Sequence, residues 1–330
     1  ELFSWIAWRI EIEKREKAMS ALICGSFAYD TIMVFHDRFK NHILPDKVHI
    51  LNVAFHVPDM RREFGGCAAN IAYNLKLLGG EPLPMGTVGT DFAPYAEWLD
   101  RHGIPRKYVT VVEGTYTAQA YITTDLDDNQ IIAFHPGAMD HAHRNRVEDA
   151  DGVTIGMVSP DGRTAMLEHA TEFAEAGIPF IFDPGQGLPL FGAEELRDFI
   201  DKATYVCVND YESQLICDRT GLSPHEIAER VAGLIVTRGA KGSEIYLPHH
   251  RIDIPAAQAR EVLDPTGCGD AYRAGLLYGL MHDLDWEVTG RVAALMGAIK
   301  IERHGTQNHR FDRDEFADRY RESFGHALGW

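Results

Sequence analysis

The run Asp264-Pro265-Thr266-Gly267-Cys268-Gly269-Asp270 joins a loop of small residues to the helix-compatible segment Ala271-Tyr272-Arg273-Ala274-Gly275. Glycines at 267 and 269 permit a tight turn, and the spacing of apolar residues beyond them predicts a helix over 270–281. The first N–H groups of a helix have no intrahelical acceptor and sit at the positive end of its dipole. Such a junction suits an anion, phosphate above all. An aspartate there is commonly only a cap. Beside a bound phosphoryl group it has a second use: Asp270 can take the proton of an attacking hydroxyl while the amides of Gly267, Cys268 and Gly269 form an anion hole. That combination is the chemistry of phosphoryl transfer.

Four other segments carry polar groups in patterns that fit a substrate. Gly25-Ser26-Phe27-Ala28-Tyr29-Asp30 places a carboxylate just past a short apolar strand, where it can cap a turn or accept hydrogen bonds from two adjacent hydroxyls. Phe64-Gly65-Gly66-Cys67-Ala68-Ala69-Asn70 feeds a glycine pair into a helix, with an amide one turn in. Asn209-Asp210-Tyr211-Glu212 follows another strand and is also a capping-box pattern. Thr237-Arg238-Gly239-Ala240-Lys241-Gly242 is glycine-rich but lacks the Walker spacing, and no dinucleotide fingerprint occurs elsewhere.

Together these segments closely resemble the signatures of the ribokinase/PfkB family of carbohydrate kinases, across about residues 21–307. The resemblance implies an α/β fold: a three-layer α/β/α domain with a mostly parallel central sheet and a small β lid. It implies that Asp30, Gly65, Gly66 and Asn70 hold a sugar, Asp30 through the ribose 2′- and 3′-hydroxyls. Asn209 and Glu212 would order Mg2+ largely through water. Asn209, Thr237, Gly239 and Gly242 would line ATP, with Ala298 in the segment walling the adenine. Asp264 and Thr266 would border a loop for a monovalent cation such as K+.

Within the family, Asp183-Pro184-Gly185-Gln186 and Ala133-Phe134-His135-Pro136-Gly137-Ala138-Met139 resemble the bacterial adenosine kinase branch. By that resemblance Gln186 reaches the purine edge and Phe134 lies on the base. Ala120 stands where some adenosine kinases have a second aromatic, which widens the expected range to inosine and guanosine. Gln130 stands where vertebrate-type enzymes have a lid arginine. The expected activity is ATP-dependent phosphorylation of a nucleoside 5′-hydroxyl. A sugar kinase acting on ribose or fructose is the alternative, and a non-catalytic nucleoside sensor is a third reading that the intact Asp270 loop disfavours.

The elements that must position these groups follow from hydrophobic rhythm. Strands are expected at 21–25, 152–158, 179–182, 205–208, 234–236 and 244–247. Helices are expected at 66–78, 165–175, 194–201, 211–218, 224–232, 270–281 and 286–301. Short apolar strands alternating with helices imply a parallel sheet covered on both faces, with ligands beyond the carboxyl ends of its strands. Lid strands are expected within about 31–64 and 115–134. Residues 1–18 read as a non-native or upstream leader before Met19, leaving one kinase domain over 19–330.

The 330 residues are 45% hydrophobic and 25% charged, an ordinary globular composition. A net charge of −17 argues against a nucleic-acid or anionic-membrane partner. No run has the length of a membrane span, and five cysteines without a C-x-x-C pair suggest reduced thiols in the cytoplasm. The expected partners are the nucleoside and ATP. Monomer and homodimer are both compatible with the sequence.

Overall fold

The computed structural model describes residues 19–43, 49–50, 52–127 and 129–329. The expected leader, and the lid positions Val48 and Leu51, lie outside these residues. The first strand, β1 (Ser20–Cys24), has no polar face: Ala21 and Ile23 enter one apolar core, Leu22 and Cys24 another. A strand buried on both sides belongs in the middle of a sheet.

The chain continues through β2 (Ala28–Val34), β3 (Asp59–Gly65), α1 (Cys67–Leu77), β4 (Glu81–Val88), α2 (Ala93–Arg101), β5 (Tyr108–Val111), β6 (Ala118–Thr124) and β7 (Gln130–His135). Next come β8 (Val153–Val158), α3 (Arg163–Glu175), β9 (Phe180–Phe182), α4 (Ala193–Lys202), β10 (Tyr205–Asn209), α5 (Asp210–Thr220) and α6 (Pro224–Ala228). The last part holds β11 (Gly233–Thr237), β12 (Ser243–Leu247), β13 (His250–Ile254), α7 (Cys268–Met281), α8 (Trp286–Ile301) and α9 (Arg313–Phe324).

Nine strands form the main sheet in the order β13-β12-β11-β10-β9-β8-β1-β4-β5. All pairs from β11 to β5 are parallel, and β12 and β13 add an antiparallel edge. Helices α1, α2, α7, α8 and α9 pack into the core on one face, and α3 to α6 into the core on the other. The expected three layers are present. A second, four-stranded sheet runs β3-β2-β6-β7, with β2 and β6 parallel and the outer pairs antiparallel. No helix among the described residues is long and apolar enough to cross a membrane.

Three differences from the sequence reading have physical causes. Within the expected lid span 31–64, Val53, Phe55 and Val57 alternate as a strand would, yet residues 52–58 join no sheet. Phe55 packs instead against Phe35, Phe39 and His42. Strand β4 is not among the expected strands, and Pro82 and Pro84 lie within it. Both lie before Met85, where pairing with β5 begins, so their missing N–H groups fall where β4 is still an edge. The helix expected over 224–232 stops at Ala228, five residues after its Ser223 capping box.

Candidate active site

The parallel strands deliver their carboxyl ends to one edge of the sheet, and the segments singled out above start there. Asn209 and Thr237 are register partners at the ends of β10 and β11. Asn209 and Glu212 form a reciprocal cap: Glu212 N–H donates to Asn209 Oδ1 (2.7 Å), and Asn209 N–H donates to Glu212 Oε2 (2.8 Å). The capping reading is therefore satisfied, and the cap holds both side chains at the strand end with the second Glu212 oxygen outside the pair. Gly239 and Gly242 close a short turn in which Arg238 N–H donates to Gly242 O (2.8 Å). Ala298 lies buried on α8, next to Gly297, where an added Cβ would sit 3.5 Å from Cys268 O.

The anion loop enters α7 through Gly267, whose φ of +78° places it in the left-handed region. Cys268 N–H donates to Pro265 O (3.1 Å), so of the three expected anion-hole amides this one is already engaged. Asp264 ties the loop down. Thr266 N–H donates to its Oδ1 and Gly305 N–H to its Oδ2, both at 2.9 Å. Burial pushes the Asp264 carboxyl up, but these amides outweigh it and hold the group below its usual range.

Asp270 occupies the first turn of α7, and burial raises its carboxyl above the ordinary value. Asn70 Nδ2 donates to Asp270 Oδ2 (2.8 Å). A relay that the sequence did not reveal fixes which way that amide points. The indole N–H of Trp98 can only donate, and it binds Gln307 Oε1 (2.9 Å). This turns Gln307 Nε2 toward Asn70 Oδ1 (2.9 Å) and Tyr95 Oη (2.7 Å), and so turns Asn70 Nδ2 toward Asp270. The Tyr95 hydroxyl in turn donates to Gly65 O (2.7 Å).

The sugar-binding candidates converge on the same place. Asp30 lies over the glycine pair, and a Cβ on Gly65 would fall 2.5 Å from Asp30 Oδ2. Gly66 caps α1 at φ +91°, with Ser26 O only 2.5 Å from where a Cβ would stand. Burial, then the charges of Glu63 and Asp264, push the Asp30 carboxyl up to about 6. If the carboxylate form accepts two hydroxyl hydrogen bonds, the KM for the hydroxylated substrate rises as pH falls through that value. KM measured on either side of it at saturating nucleotide checks this, and a flat profile removes Asp30 from the sugar site.

Phe134 stands on the same face of the second sheet as Asp30. Glu63, Asp30, Ala120 and Phe134 are register partners across β3, β2, β6 and β7. Two strand spacings, about 9–10 Å, separate Asp30 from Phe134. Phe134 is 52% exposed, and Gln186 is exposed in the turn after β9. The small Ala120 directly opposite Phe134 leaves that face of the sheet open.

Beneath the anion loop lies Arg273, also missed as a site residue. Its guanidinium meets Asp183 Oδ2 at 2.5 Å and stands 3.9 Å from Glu212 Oε2. A Cβ on Gly269 would lie 2.8 Å from its Nη1. Its position in an apolar helix, three residues after Asp270, was the available signal.

Residues 28–312 match the family described as pfkB family carbohydrate kinase. The chain belongs to that family. Among solved structures, this kinase resembles the Burkholderia thailandensis nucleoside kinase in complex with inosine. The identity is 53%, the TM-score 0.85, and the match covers 93% of this chain and 99% of that one. The complex of the same Burkholderia enzyme with ADP-inosine matches at 55% identity and TM-score 0.83, covering 93% and 97%. The nucleoside kinase of Methanocaldococcus jannaschii is 32% identical over 81% of this kinase and 89% of its own length.

Proposed function

We propose that this kinase transfers the γ-phosphoryl group of ATP to the 5′-hydroxyl of a purine nucleoside, giving the 5′-monophosphate and ADP. The observation that carries the reading is Asp270: a half-buried carboxylate in the first turn of α7, oriented by Asn70 and close enough to Asp30 for their charges to repel. The reading is supported by the Burkholderia relative, which was solved with inosine and with ADP-inosine.

The ribose lies on Gly65 and Gly66 with its 2′- and 3′-hydroxyls on Asp30. Asn70 donates one amide hydrogen to Asp270 and keeps the other for the sugar. The base reaches Phe134, with Gln186 at its edge, and the second sheet closes over the nucleoside to expel water. O5′ then bonds to the γ-phosphorus, the bond to the β–γ bridging oxygen breaks, and the 5′-hydroxyl proton passes to Asp270. The raised carboxyl makes Asp270 a better proton acceptor than a solvated aspartate. The amides of Gly267 and Gly269, which Pro265 O does not occupy as it does that of Cys268, would face the transferred group. Asn209 and Glu212 suit a hydrated magnesium ion, because the cap fixes two oxygen-bearing side chains beside the nucleotide turn. When bound there, Mg2+ would offset the triphosphate charge.

A panel of adenosine, inosine, ribose and fructose with ATP tests the proposal. Stacking on an aromatic ring contributes about 1–3 kcal/mol per base, so kcat/KM for the nucleosides exceeds that for ribose by about fivefold or more. Ribose or fructose as the preferred acceptor would overturn the nucleoside assignment. Bound nucleoside without turnover would favour the sensor.

A further inference from the structure

The family resemblance implies a monovalent cation beside Asp264 and Thr266, and the residues present do not make a site for one. Both Asp264 carboxylate oxygens accept backbone amides, from Thr266 and from Gly305. The main-chain oxygen of Asp264 accepts a hydrogen bond from Lys300 Nζ at 2.7 Å. The same ammonium donates to Arg303 O at 3.1 Å.

Lys300 is wholly buried near the end of α8. Its neighbours lock it in place. Leu263 and Asp264 N–H both donate to Ile301 O, and Thr306 packs against Gly267. The ammonium therefore lies between the 264–267 and 303–306 segments, each contributing a carbonyl. A buried charge needs compensation. Asp264, Asp270 and Glu63 supply the negative potential, against the burial that draws its proton affinity down. A Lys ammonium is a compact point charge with three donors, and carbonyl oxygens hold it as they would hold a monovalent metal ion. A second cation on the same carbonyls would face direct repulsion.

We infer that Lys300 is a built-in cation for the anion loop, fixing Asp264 and the start of α7 so that the kinase works without a bound monovalent metal. This rests on the kinase reading only in that the loop is the one that receives phosphate. Lys300 is a positioning residue, since it touches the loop rather than the reacting atoms.

The test replaces KCl by choline chloride at constant ionic strength, and reads both turnover and the melting temperature of the ligand-free protein. For the unaltered protein both stay the same, within twofold for kcat. A tenfold gain in kcat on adding K+, or a K+-specific rise in melting temperature, would overturn the inference. In Lys300→Met the loop loses its charge. In choline the variant melts lower, and K+ or ammonium selectively raises its melting temperature and restores at least part of kcat. A folded Lys300→Met protein indifferent to K+ and ammonium, with kcat unchanged, would also overturn it. Should that variant fail to fold, the cation exchange on the unaltered protein decides the matter alone. The melting readout needs no substrate, so it stands apart from any failure of the nucleoside assignment.

Discussion

Asp270→Asn lowers kcat by about 10²–10⁴-fold, the usual contribution of a positioned general base, while ATP affinity and thermal stability are not reduced. The amide keeps the shape of the side chain and can still accept the hydrogen bond from Asn70 Nδ2, but it cannot take the 5′-hydroxyl proton. Stability follows from the direction of the pKa shift. Burial raises the Asp270 carboxyl in the folded state, so its favourable contribution to folding is present in acid and is lost as pH rises through the folded value. At neutral pH the ionised group therefore opposes folding, and removing its charge leaves the melting temperature equal or higher. Steady-state kinetics, calorimetric ATP binding and melting curves at neutral and acidic pH check the three parts. Near-normal turnover would remove Asp270 as the base. A sharp fall in melting temperature would mean that its role is structural.

The Asp270 loop was legible because its chemistry is local: small residues, a helix start and a carboxylate follow one another in the chain. The same holds for Asn209 and Glu212, where one four-residue pattern served both the capping and the ligand readings, and the structure adopts the cap. The parallel sheet was legible from short strands apolar on both faces, such as Ala21 to Cys24. What stayed hidden depends on distant partners. Gln307 sits 237 residues from Asn70, and nothing near it announces that it turns the Asn70 amide toward Asp270. Lys300 looks like an ordinary last-turn lysine completing a helix dipole; only the fold brings the Asp264 carbonyl to its ammonium. Strand β4 holds prolines whose cost depends on where β5 begins to pair.

Arg273 shows the same limit, and it carries the largest expected effect on stability. An arginine within Ala271–Leu277 demands a carboxylate partner, but the sequence offers 49 acidic residues and no means of choosing among them. The structure supplies Asp183, whose exposure is 2%, against 6% for Arg273. The Nε–Oδ2 approach is a close ion pair rather than an aligned hydrogen bond, and Asp183 Oδ1 has no hydrogen-bond partner among the described residues. Such a pair adds little net stability relative to an apolar pair, yet breaking it from one side costs about 3–5 kcal/mol because a buried charge is left alone. Arg273→Met therefore destabilises the fold by about that amount in denaturant titrations. Burial already pushes the Asp183 carboxyl up and Arg273 pulls it back; without the guanidinium it rises further. A folded-state value raised in this way contributes stability in acid that is lost as pH increases, so the deficit of Arg273→Met narrows as pH falls. Adding Asp183→Asn removes the unpaired charge and recovers a large part of the loss at neutral pH. A deficit independent of pH and untouched by Asp183→Asn would mean that Arg273 acts through packing against the anion loop and not through its charge.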